Sequence, residues 1–144
     1  MHDALEVAQA ACDRSPRDAA AWWLLAKVSR HAGLPAASDE AFRRARKLGD
    51  SHPLPHRVSP EHFRQLIEQA TVGQTATAAV SRQLLPSAEQ VRGGLDPDAL
   101  ALWTPHEALT LFQVNHENRC GSEDELRELV RHSILETAGP SRQD

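Results

Sequence analysis

A chain of 144 residues, 40% apolar and 25% charged, is long enough for one compact domain or two very small ones with a modest core. Its net charge of −4 is unevenly spread, with eight Lys/Arg against seven Asp/Glu in residues 1–50 and eight against thirteen in residues 51–144. The acidic second half argues against nucleic acid as a main partner, and no run approaches the roughly 18 apolar residues of a membrane span.

The start, MHDALEVAQAACDRS, is acidic and amphipathic, unlike a secretory signal, so a cytoplasmic address is expected. Cys12 and Cys120 lie far apart in unlike contexts and read as free thiols of a reducing compartment. Ala4, Leu5, Ala8, Ala11 and Cys12 recur at helical spacing and stop at Ser15-Pro16. Ala20 to His31 predicts a second helix, closed by Gly33 in a left-handed cap. Ser38 or Asp39 opens a third, with Ala41, Phe42, Ala45 and Leu48 on its buried face and Gly49 at its end. The basic run Arg43-Arg44-Ala45-Arg46-Lys47 reads as a solvated face placed favourably at a helix C-terminus.

Residues 19–52 resemble a tetratricopeptide repeat, a helix pair of about 34 residues. The motif's first-helix Trp, Leu and small residue fall on Trp22, Leu25 and Ala26. Its turn glycine falls on Gly33, and its second-helix aromatic and alanine on Phe42 and Ala45. Its tyrosine position holds Ser29 and its closing proline position Asp50. Ala4, Ala11 and Pro16 fit the second helix of a preceding repeat, so residues 1–50 amount to a helical hairpin-and-a-half. Such repeats do not bury their apolar faces alone. Packing on the C-terminal half, on a second copy or on a partner is therefore expected. In the repeat's geometry the concave side carries Trp23, Lys27 and Arg30, an aromatic flanked by two cations that suits an acidic peptide or a free C-terminal carboxylate. The competing reading packs Trp23 internally and leaves both cations solvated.

Three prolines make residues 51–60, SHPLPHRVSP, the clearest boundary, with 51–58 as an extended linker and His52 and His56 simply parts of it. Ser59 as N-cap, Pro60 at the first helical position and the stripe Phe63, Leu66, Ile67, Ala70 predict a core-facing helix. Thr75 to Val80 suits a strand, Ala88 to Arg92 a short helix broken at Gly93-Gly94, and Leu100 to Trp103 and Ala108 to Val114 two strands joined near Pro105. Ser122 and Glu125 form a capping box for a last helix with Leu126, Leu129, Val130 and Ile134 buried. The expected class is α+β, a few-stranded sheet with two main helices over 59–139 and a tail at 140–144.

Three of these segments, VSPEHFRQLIEQA (58–70), PSAEQVRGGLDPDALALW (86–103) and ALTLFQVN (108–115), are similar to the opening helix, the pre-hairpin strand and the strand above the metal in small bacterial metallopeptidases of the matrix-metalloprotease-like zincin type. The resemblance implies a zinc peptidase whose last helix continues into H-E-x-x-H, two imidazoles one turn apart with a general-base glutamate between them. Here that helix reads Leu135-Glu136-Thr137-Ala138-Gly139-Pro140. With Glu136 in the glutamate's place, the histidine positions hold Leu135 and Gly139. With Glu136 in the first histidine's place, the glutamate becomes Thr137 and the second histidine Pro140. Neither register supplies the pair.

A rearranged zinc site would draw on His116, Cys120, His132 and Glu136. His132 and Glu136 more simply make a side-chain contact one turn apart, and His116 and Cys120 are ordinary loop residues. Glu117, Glu123 and Asp124 surround Cys120 and disfavour a reactive thiolate. The expectation is a non-catalytic module that binds a protein or peptide through its repeat face or its former substrate cleft. It would need no cofactor, could present a peptide to another enzyme, and could self-associate through the helices. The alternative is a zinc hydrolase with a rearranged or partner-completed site.

Overall fold

A computed structural model describes residues 2–49, 51–72, 79–104 and 108–137. The chain is α+β and divides into two units, 1–55 and 56–144.

The first unit is three helices, α1 (His2–Arg14), α2 (Ala19–His31) and α3 (Pro35–Leu48). Asp18 starts α2 by accepting the Ala20 N–H, and Gly33, at φ 81°, lets the chain turn sharply out of it. α1 and α3 each pack on α2, and Ala8, Cys12, Leu25, Ala26, Ala41 and Phe42 fill the core. Four of the buried residues in this core, Ala8, Ala21, Ala26 and Ala41, are alanines. Helix α3 begins at Pro35, one turn earlier than expected, because proline satisfies the first helical position and Ser38 is needed elsewhere. The Ser38 hydroxyl is buried and donates to the Ala26 carbonyl across the helix pair (2.7 Å). Leu48, expected inside, is exposed, because the last turn of α3 runs past the end of the core. The position of Asp50 lies outside the described residues.

The second unit opens inside the proline-rich stretch. The His56 N–H donates to the Cys120 carbonyl (2.8 Å), so residues 56–58 are docked on this unit and the connecting span is shorter than 51–58. Helix α4 (Pro60–Thr71) is capped by Ser59 as its sequence predicts. Strand β1 (Ala79–Gln83) begins within the expected 75–80 stretch, the rest of which, 75–78, lies outside the described residues. Then follow α5 (Ala88–Arg92), β2 (Ala101–Thr104) and β3 (Ala108–Phe112); the Pro105 turn is outside the described residues. β3 is central, parallel to β1 and antiparallel to β2, with Val80 and Trp103 both opposite Leu109.

Leu109 and Leu111, two apart and so on one face of β3, meet Phe63, Leu66 and Ile67 of α4 and Leu126, Val130 and Ile134 of α7 (Glu123–Thr137). A helix pair thus covers one face of the sheet. The chain from Gln113 to Glu117 does not continue β3 but turns into a helix, α6, closed by a Gln113–Glu117 side-chain bond one turn apart (2.9 Å). At the start of α7 the Ser122 hydroxyl accepts the Glu125 N–H, while the Glu125 carboxylate takes the Gly121 N–H, one residue earlier than a standard capping box. The Gly139-Pro140 stop and the 140–144 tail lie outside the described residues.

Candidate functional site

In the first unit, α2 turns successive flanks in different directions because neighbouring helical residues differ by about 100°. Its buried stripe is Ala21, Leu25, Ala26 and Ser29. Beside that stripe stands Trp22. The Trp22 indole N–H donates to the Pro16 carbonyl (2.8 Å), which fixes the ring, and the Arg44 guanidinium lies 4.9 Å from the ring centre. Arg44 is oriented in turn by Glu40, one helical turn back (3.5 Å), which also accepts from Arg43 (3.0 Å). Bonding from Arg43, then from Arg44, holds the Glu40 carboxyl below its usual range.

This arrangement frames a groove between α1 and α3 with α2 as its floor, about 540 Å³ in volume. Leu25, Ser29 and Ala41 form the bottom, Leu5, Trp22 and Leu34 the walls, and Glu6, Glu40 and Arg44 the rim. Beyond Trp22 a second hollow of about 260 Å³ is bounded by Pro16, Arg44, Lys47 and Leu48. The larger space lies within the range of sites that hold ligands, and apolar walls with a few fixed polar groups are what such sites need. Trp22 was legible as the repeat motif's first-helix tryptophan and Arg44 as a solvated residue. Their stacking follows from α3 crossing α2, and nothing in the local sequence announces it.

Trp23, Lys27 and Arg30 do share one flank of α2, all half-buried. Each is already engaged within the unit. The Lys27 ammonium sits 4.1 Å above the Trp23 ring, the His52 ring packs 4.8 Å from it, and Arg30 pairs with Asp39 (3.8 Å). A ligand on this flank would have to compete with these contacts. His52 is thereby part of the helical unit's packing and not a bare connector.

The four residues considered for zinc are spread differently. His116 is fully buried, with Nδ1 2.8 Å from the Phe112 carbonyl and Nε2 2.9 Å from the Ser133 hydroxyl. A carbonyl only accepts, so Nδ1 carries the proton, and Nε2 accepts from Ser133. Burial is the main cause pushing the His116 pKa down to about 4. Both nitrogens are therefore spoken for, and zinc does not fit this imidazole without breaking the core. The Ser133–His116 pair has the reach of a nucleophile and its base, but Ser133 is only 6% exposed, and the pair belongs to the interior.

Cys120 is buried too. Desolvation, then the charge of Glu125, raises its thiol to about 11, which disfavours the thiolate that attacks or ligates. His132 is exposed, on the outer side of α7 from its buried neighbour Ser133. Glu136 lies on the same helix, its side chain outside the described set. Among the described residues no three His, Cys, Asp or Glu side chains are arranged to hold a metal ion.

Two polar clusters of this unit escaped sequence reading. Glu117, 2% exposed, accepts from Arg57 (3.1 Å), the Val58 N–H (2.9 Å) and Gln113, which is bonded further to Arg82. The carboxylate of Glu123 is shared between the rings of His56 (3.1 Å) and His62 (2.7 Å), and the His62 bond is the main cause holding it below its usual range. Both clusters tie residues 56–62 to the body of the unit. The signal was sequence distance itself: partners some 60 positions apart leave no local pattern.

No protein-family model, curated protein or solved structure matches the chain.

Proposed function

We propose that the protein is a non-catalytic cytoplasmic module that binds a peptide or a segment of another protein, with a tetratricopeptide-like helical unit joined to a zincin-like domain whose zinc chemistry is gone. The observation that carries the reading is the groove floored by Leu25 and Ser29 beside the Arg44-stacked Trp22. On the repeat reading, Ser29 stands where the motif has tyrosine. The smaller side chain leaves room between α1 and α3 that a phenol ring would fill. In the second unit, the last helix lacks the histidine pair the zincin resemblance would need, and His116, a candidate for a rearranged site, is built into the core. The Trp23 flank is the other surface on which a peptide could lie.

An array of amphipathic and extended peptides, read by fluorescence anisotropy against the full chain, tests this. Ala37 is exposed on the groove wall, so Ala37→Trp fills the groove from outside without disturbing the core. Ligands that bind the parent chain and lose at least about tenfold with Ala37→Trp support the groove. Ligands that ignore Ala37→Trp but are lost with Lys27→Glu/Arg30→Glu would move the site to the Trp23 flank. An array with no ligand at all would overturn the binding reading.

A further inference from the structure

The charges at the rim of the groove are not mixed at random. Glu6 of α1 stands on one side of the larger space. Arg44 and Lys47 of α3 stand around the smaller one, past Trp22. Between them the lining is Leu5, Leu25, Leu34 and Ala41, with Trp22 in the middle. Glu40 touches both spaces and pairs with Arg43 and Arg44, but its single negative charge is outweighed by theirs and by that of Lys47, so this part of α3 stays net positive. What remains is an apolar trough with a negative end and a positive end.

Resting on the groove reading above, we infer that the occupant is an amphipathic helical segment of a partner protein bearing a base near one end and an acid near the other. Its apolar face lies on Leu5, Leu25, Leu34 and Trp22, its acid beside Arg44 and Lys47, and its base beside Glu6. A helix suits the site because the trough runs between two helices over a third, so a fourth amphipathic helix completes the layer, reading its anchors at i, i+3, i+4 and i+7. A wholly acidic segment would meet Glu6 unfavourably, and a wholly basic one Arg44 and Lys47.

The probes are two fluorescein-labelled peptides of about 18 residues with the same leucine stripe. One carries lysines in its first turn and glutamates in its last; the other carries lysines at both ends. Because either chain direction lets the first peptide match the groove, the comparison does not depend on orientation. Wild-type protein should bind the dipolar peptide at least about threefold tighter than the dibasic one. Lys47→Glu, an exposed site, should invert that preference, and Ala37→Trp should weaken both by at least about tenfold. At high salt the preference should shrink, while the part of the affinity due to leucine burial persists.

Equal affinity for the two peptides, with both lost in Ala37→Trp, would overturn the charge assignment and leave the groove standing. Binding untouched by Ala37→Trp would overturn both. Failure of both peptides to bind, while other members of the array do, would overturn the helical occupant alone. A homodimer that dissolves in Ala37→Trp would name a second copy as the occupant and overturn the partner helix.

Discussion

The pH dependence of the second unit should be governed in part by one imidazole. His116 is fully buried and hydrogen-bonded at both nitrogens in its neutral form, and its pKa falls from the ordinary 6.5 to about 4. Because the folded pKa is depressed, the unfolded chain takes up the proton first as the pH falls. The contribution to stability is therefore complete above about 6.5 and is lost progressively as the pH drops toward about 4. The gap between the two values corresponds to a loss of about 3 kcal/mol, a large share of what holds a small domain together.

Two other groups bear on the window. The nearby Arg119 charge pushes the same way as burial, and the Phe112 carbonyl opposes it. The Phe63 ring, itself fully buried, packs against the imidazole in an edge-to-face arrangement at 5.5 Å. The variant is His116→Gln, which keeps a polar amide and cannot titrate. Urea unfolding between pH 7.5 and 4.5, with amide exchange in β3 and α7 reporting on this unit, gives stability against pH. Wild-type protein should lose stability more steeply than the variant by about one proton's worth. An equal slope in the two proteins, or a native NMR signal assigned to the His116 imidazole that titrates near 6.5, would refute the reasoning.

Other consequences are simpler to measure. Arg57→Ala strips the buried Glu117 carboxylate of its cation, leaving only the Val58 and Gln113 N–H groups, and should cost about 3 kcal/mol in urea unfolding. A cost near that of an exposed ion pair would mean that water reaches Glu117. Cys120, with its thiol raised to about 11, should alkylate with iodoacetamide far more slowly at pH 8 in native protein than in urea, followed by intact mass; rapid native labelling would contradict its burial. Ser59→Ala removes the bond to the His62 N–H and should cost about 1 kcal/mol, with exchange quickening in the first turn of α4. Protection unchanged there would show that Pro60 alone sets the helix start.

Much of the secondary structure was legible because it rests on local chemistry. Ser59-Pro60, Gly33 and the stripe of Phe63, Leu66 and Ile67 act within one or two turns, and each does in the fold what its residue type favours. Two errors came from competition at a distance. Ser38, a good N-cap by type, was claimed by the Ala26 carbonyl, and Gln113 left the strand to reach Glu117 and Val58. His116 and Cys120 read as ordinary loop residues because a polar stretch reads as exposed, whereas both are buried.

The amino-acid sequence by itself determined the helical first third, the proline-marked boundary, the capped helices α4 and α7, and the lack of an H-E-x-x-H pair on the last helix. All of these depend on residue type and short spacing. Only the tertiary structure decided that Trp22 and Arg44 would stack above a groove, and that His116 would become a core residue bonded to Ser133. It also decided that Glu117 would anchor residues 57 and 58. Those outcomes depend on which helices cross and what the crossing buries, and burial is settled by partners that the chain brings together only on folding.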